Sequence, residues 1–521
     1  MALLPACTCL SCPAHGEAAA AALAGPGPEP GGAGGFSGSG RLFGGITSWL
    51  AGPDAGGLTH AGLEDELGSR SRELTRRLYQ DHLDLRAARE QRRGQVTGLD
   101  GVARIRAEAG HTRVLSTVFG PVTVSRIAYR APGAGNVHPA DEELGLPRGR
   151  HSAGLGKMAA AAAARGSFEQ ACAEVSRQTG SVLGKRQCQE LARAAAADFA
   201  DFCARRQPPR AAPGQVLVLS CDGKGVMVRP GHLRPRAAQV ARRAAPKQDG
   251  RLSRGEVRTR KRMAEIGAVY DITPVPRTPE DILGPRPDGP RPDAPRAERK
   301  HLTVSITADA ADVVAGMLAE AERRDPGHQR TWIALVDGNK DQIRWIQDSA
   351  AARGITITII CDLVHVLEYL WNAAWCFFPE ASPDAAPWVH GHAAAILHGR
   401  ATEVAEAIRA QAAATLTKAK RKTAARTAGY LDAKAPYLDY PQALASGWPV
   451  STGVIEGACR HLVKDRMDIT GARWGVPTAE AILQLRALHA NGDFDTYWTY
   501  HLNREHHRNH PHPQTSYQLA T

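Results

Sequence analysis

No run of about 18 consecutive apolar residues occurs in the 521-residue chain, so a membrane-spanning helix is not expected. The N-terminus also lacks the basic start and apolar run of a secretory signal, being rich in Ala, Gly and Pro instead. A cytoplasmic protein without a membrane partner is the expectation. Paired cysteine spacing is missing too. Cys172, Cys188, Cys203, Cys221, Cys361, Cys376 and Cys459 are scattered, as the buried thiols of a reduced protein are. The remaining three, Cys7, Cys9 and Cys12, stand with His15 in CTCLSCPAH. These are zinc-ligand residue types, but a zinc site usually takes its second ligand pair from a loop's distance away. Zinc binding and disorder both stand as readings of that stretch.

Acids are in short supply. Asp and Glu number 53 against 65 Lys and Arg, a net charge of +12. Residues Arg229–Arg262 hold twelve of the bases and two acids, a local +10. Such a balance favours nucleic acid as partner, because bound phosphates release their condensed counterions. Solubility alone is the plainer alternative.

Composition and periodicity divide the chain. Residues 1–57 form a Gly/Pro-rich N-terminus expected to be disordered. Residues 58–210 read as mostly helical, with a β-hairpin around Gly120-Pro121. Within them, Ser167 and Gln170 have capping-box spacing, and Thr179-Gly180-Ser181 breaks two helical patterns. The second of these begins with Lys185 and Arg186, the outline of a helix-turn-helix whose second helix enters the major groove. Residues 211–362 alternate apolar strands with helices. The order strand, strand, strand, helix, strand, helix, strand implies a mixed α/β sheet. The apolar runs Val216–Leu219, Ile333–Val336 and Ile355–Ile360 fit strands covered on both faces. Residues 363–450 read as a helical insertion, 451–490 as helices returning to the core, and 491–521 as a His-rich, solvated tail.

Two of the strands run into the same dipeptide, Asp222-Gly223 and Asp337-Gly338, and a third ends at Asp362. Ligands of open α/β sheets gather at the carboxyl ends of strands. Asp-Gly is also an ordinary turn pair. Two carboxylates about 4 Å apart repel by roughly 4 kcal/mol at an effective dielectric near 20. A shared proton or a cation between them relieves that repulsion. Hard oxygen donors suit Mg²⁺ or Mn²⁺, and a pair of such ions clamps the attacking and leaving oxygens of phosphoryl transfer. A third carboxylate is then wanted.

Glu456 is the candidate for it. It stands in STGVIEGACRHLVKDRMDITGARW, a helical pattern with Val454, Ile455, Ala458, Cys459, Leu462 and Val463 as an apolar stripe. Arg460, Lys464, Arg466 and Arg473 form a basic flank suited to a DNA backbone, and Trp474 follows as a base-stacking candidate. A surface pair of Glu456 with Arg460 is the plainer alternative.

With SCDGKGVMVRP, LVDGNKDQ and CDLVHVLEYLW, this segment resembles bacterial insertion-sequence transposases of the DDE type, in particular the Kra-type family, over roughly Leu58–His510. The resemblance implies a ribonuclease-H-like mixed-sheet core interrupted by an all-helical insertion, preceded by a mostly helical DNA-binding region with a β-hairpin. It implies Asp222, Asp337 and Glu456 as the catalytic, metal-binding triad for two Mg²⁺ or Mn²⁺ ions. It implies Lys224 and Arg229 as further DNA contacts, and double-stranded terminal inverted repeats and target DNA as partners of a homo-oligomer. Asp362 and His365 take either a supporting role or the plain role of a helix cap and its neighbour. A nuclease without strand transfer, an inactive DNA-binding regulator and an enzyme of small phosphate esters are the rival readings.

Overall fold

The computed structural model describes residues 35–208, 211–212, 214–243, 261–284 and 292–510. The CTCLSCPAH cluster, residues 244–260 of the basic segment and the chain beyond 510 lie outside them. The chain forms two compact units. The first takes residues up to Val114 together with Val122–His138; the second takes Leu115–Pro121 and Pro139 to the end of the described chain.

In the first unit, the stretch expected to be disordered is helical from Ser37. A Ser37–Leu50 helix packs against a His60–Ala88 helix capped by Thr59. Small residues permit this contact. Gly38 lies against Arg77, and the Ser39 amide donates to buried Asp81 (2.8 Å), which Arg77 also holds (2.7 Å). Short strands β1 (Val96–Thr97) and β2 (Ala103–Arg104) pair, and β3 (Arg106–Thr117) and β4 (Gly120–Arg130) form the expected hairpin.

The second unit is built on a five-stranded mixed sheet of order β7-β6-β5-β8-β9. Its strands are β5 (Val216–Met227), β6 (Lys261–Ile272), β7 (Ala297–Ser305), β8 (Trp332–Val336) and β9 (Thr358–Cys361). β5, β6 and β7 pair antiparallel, while β8 and β9 run parallel to β5. The parallel strands are joined through helices Ala310–Arg324 and Lys340–Ala351. Every residue of β8 is buried, as a continuous apolar strand requires.

Asp222 corrects the reading of a strand that ends in acid. β5 continues through Asp222-Gly223 to Met227 because β6 pairs with it along its whole length, Gly223 opposite Glu265. The parallel partner gives out first, its last registered pair being Ser220 with Leu335. Cross-strand pairing overrides the turn preference of Asp-Gly.

Ahead of the sheet, helices Ala153–Arg165, Phe168–Thr179 and Lys185–Ala195 follow the anticipated outline. The Ser167–Gln170 capping box forms, and Gly180 takes the left-handed conformation (φ +69°) that ends the middle helix. Between β9 and the glutamate segment, helices Leu363–Phe377, Ala385–Leu397, Ala401–Thr415, Lys418–Lys434 and Tyr440–Ala445 fill residues 363–450.

The expected solvated tail is a packed helix, Phe494–Asn509, over its described part. Phe494, Tyr497, Trp498 and His501 recur at i, i+3, i+4 and i+7 and are buried. His501 meets buried Asp198 at 2.7 Å, and Arg508 forks onto the same carboxylate through two 2.7 Å contacts.

His301 on β7 is 3% exposed, beside the Asn491 amide at 3.2 Å. Burial presses its imidazole down from 6.5 to about 3. Below pH 6.5 the unfolded chain takes up a proton that the folded one refuses, so stability falls as pH drops from 6.5 towards 3. The loss reaches about 2 kcal/mol at pH 5. Replacing His301 by Gln should therefore flatten the fall in Tm between pH 7 and pH 5, and identical slopes would refute the assignment.

Candidate functional site

The sheet brings acids from distant parts of the sequence to one rim. Extending the β5–β8 register two residues beyond Ser220 and Leu335 sets Asp222 beside Asp337 on neighbouring strands. Both are half-buried. Their charges act together on the buried Cys221 thiol, which desolvation chiefly pushes up to about 12. Glu265, on β6 across from Gly223, adds a third charge there, and burial raises its own carboxyl above the usual range.

Asp337 follows β8 in a tight turn. Its Oδ1 accepts from the Asn339 amide (2.8 Å), and its carbonyl accepts from the Tyr430 hydroxyl (3.3 Å). Gly338 sits at φ +88°, where a Cβ would come within 2.8 Å of that hydroxyl, so only glycine fits. Tyr430 stacks on Tyr369 with centroids 3.9 Å apart. The helical insertion thus braces the turn.

Asp362 follows β9 and is wholly buried. It caps the next helix through the Val364 amide (2.8 Å), and its other oxygen meets His365 Nδ1 (3.2 Å) and the Thr452 hydroxyl. The hydrogen bond with Asp362 raises the His365 imidazole to about 9, with Asp337 and Glu368 adding to the shift. His365 is therefore a cation at neutral pH.

Thr452 ties the glutamate segment to this rim. Glu456 lies in the Gly453–Ala458 helix, which passes into a π-helical turn at Cys459–Lys464. Such wide turns bring side chains into unusual positions. Here Cys459 Sγ donates to Asp222 Oδ2 at 3.1 Å. Burial holds that thiol protonated, raising its pKa further than Asp222 and Glu456 do. Glu456 itself is exposed, with Oε1 3.3 Å from Thr452 Oγ1. One threonine proton faces two carboxylates, Asp362 and Glu456, and the shorter contact is to Asp362.

Asp362, His365 and Glu456 each offer one ligand atom, all within 4.8 Å of one another. They form the one such group among the described residues. Asp222 and Asp337 share the rim without joining a three-membered group of that tightness. The alternative of a surface pair between Glu456 and Arg460 does not form; Arg460 lies 3.9 Å from Asp465. Among the described residues no ion pair within 4.0 Å engages Asp222, Asp337 or Glu456.

The expected DNA contacts divide by exposure. Arg229, Arg460, Lys464 and Arg473 are exposed, as are Lys185 and Arg186, and Lys224 is half-buried. Lys185 pairs with Glu169 (3.2 Å) and Arg186 with Glu190 (3.1 Å). Arg466 and Trp474 contradict the expectation of a surface flank, being 2% and 5% exposed. The stripe of Val454-Ile455, Ala458-Cys459 and Leu462-Val463 continues one step to Arg466-Met467, which places Arg466 on the packed face. Trp474 bridges to Val228 at the end of β5, its amide donating to Met227 O and its carbonyl accepting from Arg229 N, both at 2.9 Å.

Sequence reasoning missed Glu265, Thr452, Cys459 and Tyr430. Glu265 carried a signal, an acid inside the apolar KRMAEIGAVYDI. The other three showed none, since their roles arise from contacts 90 or more residues apart. No family model and no curated protein matches the chain.

Replacing Thr452 by Val leaves Asp362 buried with one donor fewer, which costs about 1–3 kcal/mol. Urea unfolding should show that loss in Thr452→Val and its recovery in Thr452→Ser. Equal stability of the Val variant and wild type would exclude the clamp.

Proposed function

We propose that the protein is a metal-dependent DNA transposase of the DDE type, with Asp222, Asp337 and Glu456 as its catalytic carboxylates. The observation that carries this reading is the gathering of these acids at one end of a mixed sheet, none of them in an ion pair within 4.0 Å among the described residues, in a chain with a +12 excess. The five-stranded mixed sheet followed by an all-helical stretch supports a ribonuclease-H-like core with an insertion.

The donor set fits Mg²⁺ or Mn²⁺. All three are hard carboxylate oxygens, and Asp337 Oδ2 and Glu456 Oε2 have no hydrogen-bond partner among the described residues. Two such ions, when bound, activate the attacking hydroxyl and stabilise the departing oxygen in phosphoryl transfer. The chain's own groups orient the acids. The Cys459 thiol holds Asp222, the Asn339 amide holds Asp337, and Thr452 fixes the start of the Glu456 helix against Asp362. Asp362 holds His365 protonated, a fixed positive charge beside the acids. Arg460, Lys464 and Arg473 follow Glu456 on exposed positions suited to phosphates, with Lys224 and Arg229 beyond Asp222 on or just after β5. Lys185 and Arg186 open the helix offered to terminal inverted repeats, and a homo-oligomer would hold two element ends and target DNA.

A donor plasmid carrying the gene's own flanking DNA tests this reading. The purified protein with Mg²⁺ or Mn²⁺ should release 3′-hydroxyl ends and join them to a second DNA. Asp222→Asn, Asp337→Asn and Glu456→Gln should each lower joining at least about a hundredfold while DNA affinity stays within a few-fold. Hydrolysis without joining would make the protein a nuclease. Unchanged cleavage in all three variants would remove the triad.

A further inference from the structure

Arg466 is the most unusual charge in the second unit. It is 2% exposed, and its Cζ lies 4.8 Å from the Trp474 ring centroid and 5.2 Å from that of Phe168. Its Nε donates to Ala163 O at 2.9 Å, while Nη2 is buried with no hydrogen-bond partner among the described residues. No carboxylate among the described residues lies within 4.0 Å of it. Burial, and then the charge of Arg486, press its pKa down to about 10, so it remains a cation at neutral pH. Burying a charge without a counter-charge is costly.

Arg466 lines a pocket of about 200 Å³. Phe168 and Trp474 form walls, Ser167 lies at the start of the Phe168–Thr179 helix, and Arg229 and Arg473 add two exposed guanidiniums. No acid lines it. Three arginines from two segments, Arg229 after β5 and Arg466 and Arg473 of the glutamate-bearing segment, therefore converge on one cavity with room for a small anion and its waters. Planar guanidiniums suit phosphate oxygens through paired, charge-assisted hydrogen bonds.

We propose that this pocket is a phosphate-binding site, with Arg466 as its buried floor and Arg229 and Arg473 as its mouth. The ligand is a phosphate group, supplied either by a nucleic-acid strand or as free phosphate. The site stands on its own geometry; assigning it to a strand rests on the proposed function.

Calorimetric titration of the full chain with inorganic phosphate, without DNA or metal, tests it. Wild type should bind saturably. Arg229→Ala and Arg473→Ala, both at exposed positions, should each weaken binding about tenfold, the loss of one charge-assisted contact. Arg466→Met should abolish it, and Arg466→Lys should restore a part. Absence of saturable binding, or affinity unchanged in both exposed variants, overturns the site. Competing oligonucleotides name the source. Displacement by a 5′-phosphorylated strand and not by its 5′-hydroxyl twin assigns a strand end, equal displacement an internal diester, and none a free phosphate; each of these outcomes upholds the site. Because the readout is phosphate heat in the absence of DNA, its failure leaves the strand-joining reading intact, and the converse also holds.

Discussion

The contact between Asp362 and Thr452 is the constraint on which the site's architecture depends. It fastens the segment after the helical stretch to the carboxyl end of β9, with the Leu363 amide donating to Val450 O at 2.9 Å beside it. Residues 363–450 therefore leave the sheet and return to it at one point. Once Thr452 is fixed, the next turn carries Glu456, and the wide turn beyond it carries Cys459 onto Asp222. Two hydrogen bonds, one to each side of the Glu456 helix, set where its carboxylate stands.

The rim collects negative charge by the same construction. β5 outruns β8, so Asp222 and Glu265 stand beyond the last registered parallel pair, while Asp337 and Asp362 directly follow β8 and β9. Protein donors meet part of this demand: three amides, a thiol, a hydroxyl and one imidazolium. The remaining oxygens of Asp337 and Glu456 are what a divalent cation would take. Two buried acids elsewhere in the second unit are paired with several arginines. Asp271, fully buried, meets Arg299 at 3.1 Å, Arg324 at 2.9 Å and Arg330 at 2.5 Å, and Glu320 meets Arg206 and Arg324 at 2.7 and 3.0 Å. The contrast between those arginine-paired acids and Asp222, Asp337 and Glu456, which form no ion pair within 4.0 Å among the described residues, carries the functional reading.

The sheet and its acids were legible because apolar runs without interruption leave few alternatives to buried strands, and an acid at the end of each is conspicuous. The capping box and Gly180 were legible for a local reason, since both are settled within four residues. What was not legible depended on distant partners. Asp222-Gly223 has the composition of a turn, and only β6 makes it strand. Ser37–Leu50 has the composition of a linker, and only the Asp81 carboxylate and the close approach of Arg77 explain its glycine and serine. Arg466 was visible as a stripe position but was read by its charge. Its aromatic neighbours come from 298 residues earlier and eight residues later, and proximity in sequence gave no hint of the first. The tail was read by its histidines, although the apolar residues at helical spacing among them decide its packing.

Iron(II) substituted at the rim provides the most direct test of the central claim that the separated acids serve one metal site. With ascorbate and peroxide, a bound iron ion cuts the polypeptide beside its ligands. The account predicts scission near Asp222, Asp337 and Glu456 in the same preparation, suppressed by excess Mg²⁺ and lost in Asp222→Asn. Cuts confined to the histidine-bearing C-terminal segment, or cuts near Glu456 that persist unchanged in Asp222→Asn, would contradict it.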